Sequence, residues 1–292
     1  MRPAVSIAMP VFNCEKTVGD AIRSIQAQTF QDWELIVIDD GSCDRTLAVA
    51  KTFEDPRIRL VNGGKNRGLP VRLNEAVGLS RGRYFARMDG DDISYPTRLE
   101  QQLSYLQQHP EVDLLGGAIS IFDGRGQLMG IRAARLTHDE ICGTWWRHCA
   151  LAHVTWMGST DWFRKNPYSP EALTTQDREM LMRTQHHSRF AAIPRILVGV
   201  REPTISLKKI IPTRWSFVGL MLRQGIQQRR VLRSGLSAAS EIAKLALDVF
   251  AVGTGLNYRI LRHRATLTLD PAIAAEWRSV WNLAHAGVES LD

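Results

Sequence analysis

The sequence predicts an α/β fold: a sheet built from βαβ units with helices packed against it, followed by a basic, mostly helical region. Three observations carry this. Short apolar runs alternate with stretches of helical period between residues 5 and 89. Each run ends in a polar or acidic residue. Near residue 204 the composition shifts to long apolar stretches studded with Arg and Lys. The chain has 292 residues, 44% hydrophobic and 23% charged, enough for one large domain with an appendage.

Residues 5–11 are the first apolar run, leading into Phe12 and Asn13, and read as a buried strand. Val18, Ile22 and Ile25 then recur at helical spacing, which predicts a helix over 15–28. WELIVID at 33–39 is a second buried strand and DDGSCD a turn behind it. Asp44 is placed to cap a helix carrying Leu47, Ala50 and Phe53. RIRLVN at 57–62 is a third strand; a glycine-rich loop and a helix at 68–80 follow, then RYFARMD as a fourth strand. Strands alternating with helices imply parallel pairing. In such sheets ligands sit beyond the carboxyl ends of the strands. The residues delivered to that edge are Asn13, Asp39 with Asp40, Asn62, and Asp89.

Pro96 suits the first turn of the next helix, whose buried stripe is Leu99, Leu103 and Leu106. Residues 112–123 read as a strand and DGRG as a turn. Residues 138–149 fit a helix, 153–163 a strand and turn, and 189–202 a strand. Residues 174–187 open a helix with Asp177 in its first turn.

From Lys208 to Arg264 eleven basic residues are opposed only by Glu241 and Asp248. Positions 237, 241, 244 and 248 form one polar stripe on an otherwise apolar helix. Two readings stay open: a helix packed on the first domain or a partner chain, or a peripheral anchor on an anionic bilayer through 205–264. The net charge of +7 suits an anionic partner without choosing among nucleic acid, phosphorylated metabolite and membrane. Cys14, Cys43, Cys142 and Cys149 form no C-x-x-C pair, and Cys142, His148, Cys149 and His153 match no common zinc spacing. Reduced cysteines and a cytosolic compartment are expected. The first apolar run is too short for a signal peptide, and no stretch approaches the ~18 apolar residues of a spanning helix.

The run YFARMDGDD drives an apolar strand straight into Asp89, Asp91 and Asp92. Such a cluster is either a solvated loop or a site for a hard divalent cation, and carboxylates suit Mg2+ or Mn2+. Mg2+ takes one or two protein carboxylates and leaves other positions to phosphates and water.

The segment VSIAMPVFNCEKTVGDAIRSIQAQTFQDWELIVIDDGSCDRT resembles the opening of the family 2 glycosyltransferases. NRGLPVRLNEAVGLSRGRYFARMDGDD resembles the next family segment, which ends in a D-x-D motif, and TQDREMLMR the later segment carrying the general base. The likeness covers residues 4–200. It implies a GT-A fold with a mixed sheet, a nucleotide-sugar donor, a divalent metal (Mn2+ or Mg2+) and inversion at the anomeric carbon. Pro10, Phe12 and Asn13 match the nucleobase pocket, and Asp40 with Asp39 the carboxylate that binds the base. Asp89 matches the first D-x-D carboxylate, near ribose and metal; Asp91 matches the second, a metal ligand, and Asp92 extends it. Asp177 matches the base. Two departures stand out: Gln176 precedes Asp177 where the family usually has Glu, and Arg72 precedes Leu73-Asn74 where relatives have Arg-Asn. A phosphate contact from Arg72 or Arg67 is one reading of the second and a solvated helix face the other. His153 and Thr155 resemble an acceptor-side segment.

The expected organisation is a glycosyltransferase domain over 1–204, with a nucleotide half to about residue 95 and an acceptor half over 96–204, then a helical region over 205–292. The expected activity is transfer from a UDP-sugar to a hydroxyl of a glycan or lipid-linked acceptor in surface polysaccharide synthesis, at the inner face of a membrane. A metal-dependent nucleotidyltransferase is the alternative, but PVFNCEK is not its glycine-rich basic loop. A nucleic-acid-binding protein is the other; it needs a basic stripe with aromatics on the folded domain, so no nucleic-acid partner is expected.

Overall fold

Alternation within the strands decides the layering. In a computed structural model describing residues 2–144, 151–202, 207–227, 231–254 and 270–286, the first strand β1 (Val5–Val11) is buried along its whole length. Its odd residues Val5, Ile7 and Met9 face one core cluster and Ala8 faces the other. The first cluster is filled by α1 (Val18–Gln26) through Val18, Ile22 and Ile25 and by α4 (Arg98–Gln108) through Leu99 and Leu103. The second is filled by α3 (Leu69–Leu79), α6 (Thr160–Lys165) and α7 (Gln176–Thr184). A sheet covered on both faces explains why its strands read as unbroken apolar runs.

The strands β2 (Trp33–Asp39), β3 (Ile58–Asn62) and β4 (Tyr84–Arg87) join β1 in parallel, in the order β3-β2-β1-β4. The sheet continues through β8 (Met157–Ser159), β6 (Leu114–Phe122), β9 (Phe190–Arg201) and β5 (Ile93–Ser94), with β7 (Leu128–Arg132) on β6. β8 pairs antiparallel with β4 and β6, β5 antiparallel with β9, and β6 parallel with β9, so the sheet is mixed. Between α2 (Thr46–Lys51) and the tail lie also α5 (His138–Thr144) and a 3-10 turn at His153–Thr155. Chain order turns back between β1 and β4, which makes their carboxyl ends the natural ligand crevice.

Pro10 sits inside a central strand without penalty. The Ala8 carbonyl accepts from Met88 N–H, so even positions of β1 point toward β4; that pairing ends at Ala8 and Arg87. The N–H that Pro10 lacks would therefore have found no strand partner there.

Several boundaries differ from the sequence expectation. α1 begins at Val18 rather than 15, because Cys14 N–H and Glu15 N–H go to Thr46 Oγ1 and Asp44 Oδ2 on the neighbouring loop. Asp44 does accept from Thr46 N–H at the start of α2, but the helix stops at Lys51, short of Phe53. Pro96 stands two residues before α4. Residues 160–165 form a helix rather than a turn, capped by Ser159 Oγ, which accepts from Trp162 N–H. β5 has two residues, below the length at which periodicity exists. The remainder of the 138–149 helix, with His148 and Cys149, and Arg229, Arg230, Arg259, Arg262 and Arg264 lie outside the described residues. Cys14, Cys43 and Cys142 are free thiols.

The tail contributes α8 (Leu207–Gln227), α9 (Val231–Gly253) and α10 (Pro271–His285). α10 packs Trp277, Val280 and Ala284 on Ile93, Tyr95 and Phe122. Arg23 Nε donates to the Ala284 carbonyl at 2.6 Å, tying α10 to α1.

Candidate active site

Three loops meet at the carboxyl ends of β1 and β2, and side chains of Asn13, Asp39 and Asp40 hold them. Asn13 is, among the described residues, the non-glycine residue with positive φ, at 50°. Asn tolerates this because its short polar side chain bonds locally: Asn13 Oδ1 accepts from Cys43 N–H at 2.9 Å, and Asn13 N–H donates to Ser42 Oγ at 3.0 Å. Asp39 accepts from Ser42 N–H. The buried Asp40 carboxylate accepts from Arg67 N–H (2.8 Å), Gly68 N–H (2.9 Å) and Arg72 Nε (2.7 Å). Arg72 is buried in turn and donates also to the Gly63 and Lys65 carbonyls and to Glu75. The solvated-face reading of Arg72 is thus overturned: its guanidinium folds inward onto Asp40 and the Gly63 and Lys65 carbonyls. Burial opposes its charge, but Asp40 and Glu75 outweigh this and raise its pKa. Phe12 projects beside this frame and is 47% exposed, a large aromatic left open at a strand end.

At the end of β4, oxygens of Asp89, Asp91 and Asp92 lie within 4.8 Å of one another. Gly90 makes the turn possible, since a Cβ there would stand 2.6 Å from Val11 Cγ1. Asp92 is buried, and Asp92 Oδ1 accepts from Arg201 N–H at 2.9 Å. Burial first, then Asp91 and Asp89, pushes its carboxyl well above the usual range. Asp89 pairs with the buried Arg87. Arg98, fully buried behind them, donates to the Arg87 and Val154 carbonyls; burial and Arg87 bring its pKa down to about 9. Arg201 Nε holds the Asp91 carbonyl at 3.0 Å. The Asp91 side chain is the exposed one of the three. Octahedral coordination at ~2.1 Å puts ligand oxygens about 3–4 Å apart, so three hard oxygens this close fit a small divalent cation after slight closure. Mutual repulsion of the carboxylates is what such a cation would relieve.

Asp177 is half-buried in the first turn of α7. Its surroundings lead back to the Asp40 loop and to Asp89. Leu173, four residues upstream, packs so closely on Gly68 that a Cβ there would lie 2.9 Å from Leu173 Cδ2, and Gly68 is the residue held by Asp40. Tyr168 is buried, and after burial and the opposing Arg87, both Asp177 and Asp89 push its phenol further up, so one ring lies within electrostatic reach of both carboxylates. Its hydroxyl shares a 3.0 Å hydrogen bond with His153 Nε2, and burial, followed by Arg87, keeps His153 neutral. Asn74 holds Tyr168 through both backbone groups at 2.8 Å. Thr155 Oγ1 binds the Ala152 carbonyl and Gly117 N–H, which makes it structural. Gln176 is buried, and its Oε1 has no hydrogen-bond partner among the described residues.

The structure thus puts Asp40 and the acidic cluster on one sheet edge, with Leu173, four residues ahead of Asp177, against the Gly68 that Asp40 holds. Sequence reasoning missed Arg87, Arg98, Tyr168 and Arg201. Arg87 carried a signal, a cation within an apolar strand ahead of three aspartates. Arg201 carried none, lying 109 positions from Asp92.

Comparison with known proteins gives the family and the fold. Residues 6–166 match the family described as Glycosyl transferase family 2. The putative glycosyltransferase EpsE of Bacillus subtilis is 39% identical over 137 residues, 46% of this chain and 48% of EpsE. WfgD of Escherichia coli, named a UDP-Glc:alpha-D-GlcNAc-diphosphoundecaprenol beta-1,3-glucosyltransferase, is 39% identical over 153 residues, 52% of this chain and 58% of WfgD. The matched region thus spans about half the length of these relatives. Among solved structures, S. aureus TarS 1-349 in complex with UDP-GlcNAc superposes with a TM-score of 0.58 at 15% identity, over 97% of this chain and 91% of that one. The mannosyltransferase PcManGT from Pyrobaculum calidifontis, in complex with GDP-Man and Mn2+, gives 0.57 at 15%, over 99% and 89%. At that identity the likeness is one of fold, and the fold is GT-A. With the family match covering more than half of its length, the chain belongs to glycosyl transferase family 2.

Proposed function

We propose that the protein is an inverting glycosyltransferase moving a sugar from a UDP-sugar to a hydroxyl of a glycan or lipid-linked acceptor, in surface polysaccharide synthesis at the inner face of the cell membrane. The observation that carries this is the Asp89–Asp91–Asp92 cluster at the end of β4, on the same sheet edge as the Asp40 frame at the end of β2. Family membership favours glycosyl over nucleotidyl transfer. The names of WfgD and of the TarS and PcManGT complexes support a nucleotide-sugar donor, and that of WfgD a lipid-linked acceptor.

In this reading Phe12 stacks on the base, with Pro10 and Asn13 shaping its pocket. Asp40 already accepts three N–H groups and has room for about one more, the base imide. Asp39 and Arg72 act through the frame: Arg72 holds the Asp40 carboxylate in place and the 63–68 loop closed. Asp89, fixed by Arg87, faces the ribose. Asp91 and Asp92 would hold Mn2+ or Mg2+, which when bound supplies positive charge to the donor diphosphate. Asp177 takes the proton from the acceptor hydroxyl as its oxygen bonds to the anomeric carbon from the side opposite the diphosphate, whose bond to that carbon breaks. One displacement inverts the configuration.

Two variants test this. Asp91→Asn is expected to lose Mn2+-dependent UDP binding in calorimetry with the fold intact; undiminished binding sinks the assignment. Asp177→Asn should bind UDP normally and transfer about 10²- to 10⁴-fold more slowly. Normal turnover would remove Asp177 from its role.

A further inference from the structure

The α8–α9 hairpin is built with its polarity inverted. The polar stripe of α9 does not face solvent: Ser237, Glu241 and Asp248 are buried against α8. Arg214 of α8 reaches between them, its Nη1 2.6 Å from Glu241 Oε2 and its Nη2 2.6 Å from Asp248 Oδ2. Lys244 Nζ donates to Glu241 Oε1 at 2.7 Å. The outer face carries Leu232, Leu236, Leu247 and Phe250 from α9 with Trp215 and Leu222 from α8; Leu232 is 83% and Phe250 63% exposed. In water this order is costly twice over. Charges lose hydration inside, and a broad apolar face stays wet outside. Against lipid the second cost is removed, because apolar groups meet acyl chains, and the inward pairing of the charges is what keeps them off that face.

Charge selects the kind of lipid surface. Glu241 and Asp248 are the only acids in the sequence between Lys208 and Arg264, and both pair within the hairpin, with Arg214 and Lys244, so eleven basic residues against two acids give the stretch a net charge of +9. No helix among the described residues is long and apolar enough to cross a membrane, which leaves an element lying in the interface. An exposed Trp suits that depth. The hairpin is also anchored to the site: Phe217 and Met221 of α8 pack on Met182 of α7, and the Arg178 guanidinium lies 3.9 Å from the Phe217 ring centre, one residue from Asp177.

We infer that the outer face of the α8–α9 hairpin seats in the headgroup region of an anionic bilayer, and that the internal Arg214–Glu241–Asp248 cluster lets it do so without presenting charge to lipid. Through α8 this holds α7, and with it Asp177, at the membrane surface where a lipid-linked acceptor offers its hydroxyl. That last consequence rests on the proposed function; the lipid contact does not.

The test uses the full chain and sedimentation with vesicles of phosphatidylcholine alone or mixed equally with phosphatidylglycerol. The parent protein should pellet with the mixed vesicles and less with the neutral ones. The triple variant Leu236→Asp, Leu247→Asp, Phe250→Asp should bind about tenfold more weakly or worse, with circular dichroism and UDP binding in solution unchanged. Equal binding by both proteins overturns the inference, as does a parent that ignores both vesicle types. A dimer seen by sedimentation velocity that the triple variant dissolves, without vesicle binding, would assign the face to a second copy instead. UDP-sugar turnover without vesicle binding defeats the lipid contact alone. Vesicle binding by a protein that turns over no nucleotide-sugar defeats the transferase reading alone.

Discussion

Arg72 does more for the site than its place on a helix suggests. Its guanidinium joins Asp40, Glu75 and two loop carbonyls, and both it and Asp40 are buried. Removing one member of a buried ion pair strands the other, at a cost of about 3–5 kcal/mol. Arg72→Leu should therefore lose stability of that order in urea unfolding and weaken UDP binding. Glu75→Gln, altering a half-exposed partner, should change stability by about 1 kcal/mol or less. Equal losses would show that Glu75, not Asp40, is the partner that matters. At this scale the sequence showed acceptors better than their holders. Asp39, Asp40 and Asp89 were legible because each stands directly after an apolar strand. The groups fixing them were not: Arg72 is 32 positions from Asp40, and Arg201 is 109 from Asp92. Which long-range pair closes depends on how the loops fold back, and local spacing does not encode that.

Among elements, β1, β2 and β4 were readable because each is buried along its whole length, and β3, half-buried at the sheet edge, because Ile58, Leu60 and Val61 still mark it. β5 was not, being two residues completed by β9 more than a hundred positions later. The instructive element is α9. Its stripe at 237, 241, 244 and 248 was plain in the sequence, but periodicity gives a stripe without saying which way it turns. The deciding residue is Arg214, on another helix, which draws Glu241 and Asp248 inward. A prediction follows at this scale. Arg214→Leu alone removes the cation that Glu241 and Asp248 share, leaving Glu241 with Lys244, and should abolish slow hydrogen exchange across α8 and α9 in water. Replacing Arg214, Glu241 and Asp248 together by Leu removes the charges as a set, and similar exchanges elsewhere have been neutral or stabilising. The triple replacement should keep protection. Loss in both variants would mean that the cluster's shape, not its charge balance, holds the hairpin.

Over the whole molecule, stability in acid should fall in two separate limbs. His153 is buried between Tyr168 and Arg87 and held neutral, with a pKa well below 6.5. The unfolded chain, at about 6.5, binds the proton first, so stability is full above that pH and declines as pH falls toward the folded value. A second set is carboxylates held below their usual range. At Asp55 the hydrogen bond from Arg57 is the main cause. At Glu34 and Asp44 burial works against ionisation, and hydrogen bonds from Ser6 and Arg81, and from Thr46, outweigh it. These groups stabilise the fold above about pH 4 and lose that contribution below it. The melting temperature should therefore drop first between about pH 6.5 and 5, and again below about 4. His153→Gln keeps an acceptor for the Tyr168 hydroxyl but cannot take up a proton. It should flatten the first limb and leave the second untouched. If the first limb survives that substitution, the proton taken up there belongs to another group; if the second disappears with it, the two sets are coupled through the site.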